Sequence, residues 1–97
     1  MKNIFSYPSV DKGEIFDTLF KNSNVKISKI VSSDKLEVKE YIQKEDEWVV
    51  VLEGKATLVV DKKEITLSRG EHLFIPSLTP HSVIKTEKDT LWLAIYC

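Results

Sequence analysis

Few side chains in this sequence can do chemistry beyond carrying surface charge. There are two histidines, His72 and His81, and one cysteine, Cys97. A single thiol excludes an internal disulfide and a cysteine-based zinc site. Glu47 stands out among the carboxylates because it opens the apolar run Trp48-Val49-Val50-Val51-Leu52. A strand this apolar must be buried, and a charge inside is costly unless it is paired, hydrogen-bonded or bound to a metal. His81 follows the loop Pro76-Ser77-Leu78-Thr79-Pro80 and opens a strand of its own. A Glu–His pair at hydrogen-bonding distance raises the histidine pKa and lowers that of the glutamate. Such a pair can transfer protons, or it can simply satisfy itself as a closed polar cluster. His72 lies within a strand and faces an interior only in one of two registers. Trp48, Trp92 and Tyr96 read as core or interface aromatics that could also line a pocket.

The elements that must position these residues are mostly strands. Asp11-Lys12-Gly13-Glu14 has the logic of a capping box, and Ile15, Phe16, Leu19 and Phe20 follow at helical spacing, so a short helix is expected over 12–21. Such a helix is too short to persist alone and must lie on something. From Val25 onward apolar and polar residues alternate in runs separated by turn residues: 25–31, 36–42, 47–52, 56–60, 65–67, 72–76, 82–84 and 91–96. Eight short strands at this spacing, with no room for helical crossovers, predict an all-β sandwich or barrel with mostly antiparallel neighbours. In 47–52, Val49 and Val51 share a face with Glu47. In 91–96, Leu91, Leu93 and Ile95 oppose Trp92, Ala94 and Tyr96. Neither strand has a wet side, as an antiparallel sheet usually does. The helix is expected to cover part of the outside and a second subunit the rest, which predicts a homodimer.

Composition excludes several classes of function. The 97 residues allow one domain, and the 14 basic and 15 acidic residues are scattered, with a net charge of −1. The lone arginine, Arg69, and the absence of a basic stripe argue against a nucleic-acid partner. No run approaches the roughly 20 apolar residues of a membrane span, and the N-terminal residues lack the apolar stretch of a signal peptide. A cytoplasmic setting is therefore expected.

Spacing then adds a resemblance. Glu47, Gly54, Gly70, Pro76 and His81 fall at the intervals of the two motifs of the cupin family, over about residues 35–85. The resemblance implies a double-stranded β-helix, or jelly-roll barrel, over 25–97. Residues 1–24 would form an N-terminal extension whose short helix packs outside. In metal-binding cupins two first-motif histidines, the glutamate and the second-motif histidine hold a divalent ion. Here those two histidines fall on Tyr41 and Gln43. Lys35, Leu78 and Lys85 replace two glycines and an asparagine of the motifs. A metal site would thus consist of Gln43, Glu47 and His81, a poor set for late transition metals, which favour nitrogen ligands.

The expected function is small-molecule binding in a polar pocket of Tyr41, Gln43, Glu47 and His81, with weak or absent metal. The alternative is a metal-dependent enzyme, of dioxygenase or isomerase type, acting on a small polar metabolite. It would hold iron, manganese, nickel or zinc through Gln43, Glu47 and His81. A third possibility is metal-free acid–base catalysis by Glu47 and His81, with Tyr41 orienting the substrate.

Overall fold

A computed structural model describes residues 1–97. The chain forms eight strands: β1 (Glu14–Lys21), β2 (Lys26–Ser32), β3 (Glu47–Glu53), β4 (Lys55–Val60), β5 (Lys63–Ser68), β6 (His72–Ile75), β7 (His81–Thr86) and β8 (Thr90–Tyr96). They make two antiparallel sheets, one ordered β1-β2-β8-β3-β6 and one ordered β5-β4-β7. Alternation along the strands places the core between them. In β4, Ala56, Leu58 and Val60 point inward and meet Val49, Val51, Ile75, Trp92 and Ala94 from the larger sheet. A buried aliphatic side chain contributes roughly 1.5–3 kcal/mol of transfer free energy, so this shared cluster is what holds the two sheets face to face.

Turn chemistry explains how the chain reverses within a sheet and how it passes between sheets. Asp61 and Lys62 both adopt positive φ, 48° and 68°, and close the β4–β5 hairpin with a two-residue loop of the kind that matches strand twist. Gly54, at φ 90°, is the single residue between β3 in the larger sheet and β4 in the smaller one. A Cβ there would lie 2.6 Å from Thr90 Oγ1 and 3.0 Å from Thr90 Cα. The corner therefore needs glycine for its dihedral and also for its close approach to β8.

The helix expected over 12–21 does not form. Residues 14–21 are instead the edge strand β1, paired with β2 from Glu14↔Ser32 to Lys21↔Lys26 through a register shift between Thr18 and Phe20. Ile15 and Phe16 lie on opposite faces of β1, Phe16 on the cavity side, and the shift returns Phe20 to the face of Ile15, so apolar residues on both faces of a bulged strand imitate helical spacing. Gly13, at φ 70°, is not the start of a helix. Its N–H donates to the Lys35 carbonyl and its carbonyl accepts from Ser33 N–H, both at 2.9 Å. Tertiary pairing thus overrides a weak local helical preference.

Two further expectations change. The run 36–42 is not a strand; its one ladder contact is the isolated bridge Tyr41↔His81. The outer face of the larger sheet is covered in part by the N-terminal segment rather than by a helix. Tyr7 and Val10 pack on Val31, Leu52 and Leu91. The carboxylate of Asp89 holds the segment by accepting from Ser9 Oγ and Val10 N–H, each at 3.0 Å. No helix is long and apolar enough to cross a membrane.

Candidate functional site

Glu47 begins β3 in the larger sheet, and His81 begins β7 in the smaller one. Both side chains turn into the space between the sheets, where each residue is 7% exposed. His81 Nε2 lies 3.4 Å from Glu47 Oε1. The Gln43 amide donates to the same oxygen at 2.9 Å. The Tyr41 ring stacks beside the His81 imidazole, with 6.0 Å between centroids and 29° between planes. Tyr41 and Gln43 come from the irregular segment 33–46. Tyr41 and His81 exchange backbone hydrogen bonds of 2.7 and 3.0 Å, and Leu78 N–H donates to the Gln43 carbonyl at 2.7 Å. Leu78, which stands at a glycine position of the cupin motif, holds φ 61°, in the left-handed region that favours glycine.

The hydrogen bonds place one proton of the imidazole. His81 Nδ1 lies 2.9 Å from the Thr79 carbonyl, which can only accept, so Nδ1 carries a proton. Nε2 faces a carboxylate, and a second proton there gives a charge-assisted contact. The His81 pKa is raised, first by the hydrogen bond to Glu47, with burial opposing and the Thr79 carbonyl and the Glu47 charge adding to the rise. Tyr96 stands opposite Glu47 in the β3–β8 ladder. Burial, and then the Glu47 carboxylate, push its phenol far above the usual range, so it stays protonated.

These groups form the polar end of a cavity of about 130 Å³ between the sheets. Its other walls are mainly apolar, including Ile30, Val49, Leu58, Ile75, Val83 and Trp92. Cavities of this make-up, apolar with a few convergent polar groups, are the usual form of small-molecule sites. All four residues singled out from the sequence, Tyr41, Gln43, Glu47 and His81, line it. His72 does not; it lies on the outer face beside Trp48, whose indole N–H donates to His72 Nδ1 at 3.4 Å. Trp92 lines the cavity and Trp48 does not.

Sequence reasoning gave Tyr96 only as an aromatic that could line a pocket and missed Glu14 as a cavity residue. The alternation that puts Trp92, Ala94 and Tyr96 on one face carried the signal for the first. Nothing signalled the second, because Glu14 looked like part of a helix cap. Its carboxyl accepts instead from Ser32 Oγ inside the barrel. Burial raises its pKa, against the lowering effect of that hydrogen bond.

The cupin domain model matches residues 35–96. The chain belongs to the cupin family. Among solved structures, the cupin is similar to a Ralstonia eutropha JMP134 protein provisionally named a mannose-6-phosphate isomerase. The two share 29% identity at a TM-score of 0.88, over 100% of this chain and 96% of the other. A cupin superfamily protein of Desulfitobacterium hafniense DCB-2 superposes with a TM-score of 0.82 at 21% identity, over 93% of this chain and 82% of that one. KdgF from a Halomonas species gives 0.80 at 16% identity, over 93% and 84%. The last two likenesses bear on the fold alone. No curated protein matches the sequence significantly.

The donor set fits a resident divalent ion poorly. No group of three His, Cys, Asp or Glu residues converges. The Gln43 amide nitrogen, a donor, is turned to Glu47, and the one imidazole is engaged with the one adjacent carboxylate. The Tyr96 phenol is held protonated. Tight divalent sites need three or more protein ligands free to face the ion. The chemistry this arrangement offers is hydrogen bonding and proton transfer.

Proposed function

We propose that this cupin binds a small organic molecule in the barrel, against Tyr41, Gln43, Glu47 and His81, and needs no resident metal to do so. The observation that carries the reading is the buried Glu47–His81 pair at the polar end of an otherwise apolar cavity. Thermal-shift screening of small polar metabolites tests it. A ligand present at about 100 times its Kd stabilises by about 2.7 kcal/mol, and the shift should vanish in His81→Ala and shrink in Glu47→Gln. Metal analysis of the purified protein should find far less than one ion per chain. Stoichiometric iron, manganese, nickel or zinc, lost in His81→Ala, would replace this reading with the metal-dependent one.

A second reading is favoured by the isomerase name of the Ralstonia eutropha protein. Glu47 would take a proton from substrate carbon while the His81 imidazolium gives one to substrate oxygen, with Tyr41 orienting the molecule. Its signature is a bell-shaped pH–rate profile that Glu47→Gln abolishes.

Self-association accompanies either reading. Five residues align in one cross-strand row on the outer face of the larger sheet: Phe20, Ile27, Ile95, Trp48 and Phe74. Phe20 and Phe74, at its two ends, are 51% and 53% exposed. Strands about 4.8 Å apart make this an apolar band roughly 19 Å wide. A two-fold axis through the sheet would lay the band on its own copy, end to end, as an isologous dimer requires. Sedimentation should show a dimer that Phe74→Lys dissociates; a monomer at tens of micromolar removes the argument.

A further inference from the structure

Glu14 gives the cavity a second carboxyl, on the β1 side. An indole N–H can only donate, and Trp92 Nε1 lies 2.9 Å from Ser32 Oγ, so that oxygen accepts from Trp92. The single hydroxyl proton of Ser32 then goes to Glu14 Oε2. The chain Trp92–Ser32–Glu14 engages Glu14 Oε2 and leaves Glu14 Oε1 for a ligand. Glu14, Phe16 and Tyr41 also line a second, outer cavity of about 190 Å³, with Gly13, Leu36, Glu37 and Lys39. Glu14 therefore stands where the inner cavity meets its vestibule.

The charges on these walls select the ligand. No lysine or arginine lines the inner cavity. Arg69 is outside, 3.5 Å from Glu53 and exposed. Lys39 lines only the vestibule, 4.0 Å from Glu37. The one imidazole of the cavity, His81, already faces Glu47. An anion entering here would lose its hydration, meet two carboxyl groups and find no free cation, which is strongly unfavourable. A cation gains little either, because Glu47 is already paired with His81 and one oxygen of Glu14 is taken by Ser32. What remains matched is hydrogen bonding at both poles of an apolar-walled space. An apolar cavity of about 150 Å³ accommodates benzene, so about six non-hydrogen atoms fill the inner part.

Resting on the binding reading above, we propose that Glu14 is a second ligand-holding group and that the barrel takes an uncharged, oxygen-bearing molecule, a polyol or hydroxycarbonyl compound, and rejects phosphorylated or carboxylated ones. This separates the cupin from the sugar-phosphate chemistry in the name of its Ralstonia eutropha neighbour.

The test follows Glu14 and His81 by NMR in protein carrying ¹³C-glutamate and ¹³C-histidine, assigned with Glu14→Gln and His81→Gln. The probes are glycerol, dihydroxyacetone and myo-inositol, set against glycolate, glycerol 3-phosphate, inorganic phosphate and ethanolamine. The expected result is that uncharged probes shift both residues, with affinities at least about tenfold above those of the charged ones, a difference of about 1.4 kcal/mol. Glu14→Gln keeps hydrogen bonding and should retain the uncharged probes, whereas Glu14→Leu should weaken them about tenfold. Anions or ethanolamine binding as well as glycerol would overturn the charge selection and leave the binding reading standing. Uncharged probes that shift His81 and not Glu14, or that bind Glu14→Leu undiminished, would remove Glu14 from the site. No response from any probe at high millimolar concentration would overturn this inference and the binding reading together.

Discussion

Gly54→Ala tests the corner that sets the strand carrying Glu47 against the sheet carrying His81. Gly54 and Gly70 both hold positive φ, 90° and 82°. An L-residue in the left-handed region costs roughly 1–2 kcal/mol. Loss of glycine's unfolded-state freedom returns about 0.4–1 kcal/mol of that, so dihedral strain alone predicts a net loss of about 1 kcal/mol at either site. The surroundings differ. Nothing lies within 4 Å of a Cβ built at Gly70, whereas at Gly54 it meets Thr90 Oγ1 at 2.6 Å and Thr90 Cα at 3.0 Å. Thr90 is fully buried, and its hydroxyl donates to the Glu87 carbonyl at 2.7 Å. Turning the side chain away therefore breaks a buried hydrogen bond, and no rotamer relieves the backbone contact. Overpacking of this kind costs about 1–3 kcal/mol. Gly54→Ala should lose about 2–4 kcal/mol and Gly70→Ala about 1 kcal/mol, each kilocalorie lowering Tm by about 4–8 °C in a domain of this size. Urea unfolding with an unchanged m-value measures the difference. Thr90→Ala in the Gly54→Ala background should recover part of the loss, since it removes Oγ1 and leaves Cα. Equal losses at the two glycines would refute the close-approach argument and leave only the dihedral.

Two other outcomes follow from the site. The His81 pKa should titrate above 6.5 and fall in Glu47→Gln, because the hydrogen bond that raises it most is then gone. Since the folded-state pKa is the raised one, the pair's contribution to stability is full below the unfolded value near 6.5 and is lost as pH rises through the folded value. Urea midpoints from pH 5 to 9, wild type against Glu47→Gln, would show the two curves converging at high pH, and parallel curves would contradict it. Leu78→Gly relieves a left-handed leucine whose side chain is 64% exposed and packs little. The gain should be a few tenths to about 1 kcal/mol by chemical denaturation, after the entropy that glycine adds to the unfolded chain.

The barrel and one side of its site were legible because they rest on short-range signals. Alternation over 47–52, 56–60 and 91–96 reports which residues share a face, and the observed core uses one face of each. Gly54 and Gly70 were readable as turn residues, and both have positive φ. The misreadings fall where local pattern is ambiguous. Ile15, Phe16, Leu19 and Phe20 fit a helical face, and only the pairing with β2, with apolar residues on both faces and a register shift after Thr18, shows how a strand produces the same spacing. The run 36–42 alternates like a strand, yet its backbone finds a partner only at Tyr41. Glu14 was invisible because its role depends on Ser32 and Trp92, brought beside it from two other strands.

Residue order alone determined that this chain is all-β, that it places a carboxylate and an imidazole at cupin intervals, and that two first-motif histidines are Tyr41 and Gln43. These are properties of type and spacing, and period-two burial needs no knowledge of partners. Only the tertiary structure decided which groups share the cavity, that Glu47 and His81 bridge the two sheets at 3.4 Å, and that Glu14 joins them. The physical reason is that a cavity's charge balance and donor set are made across strands distant in sequence, where register rather than composition chooses the neighbours.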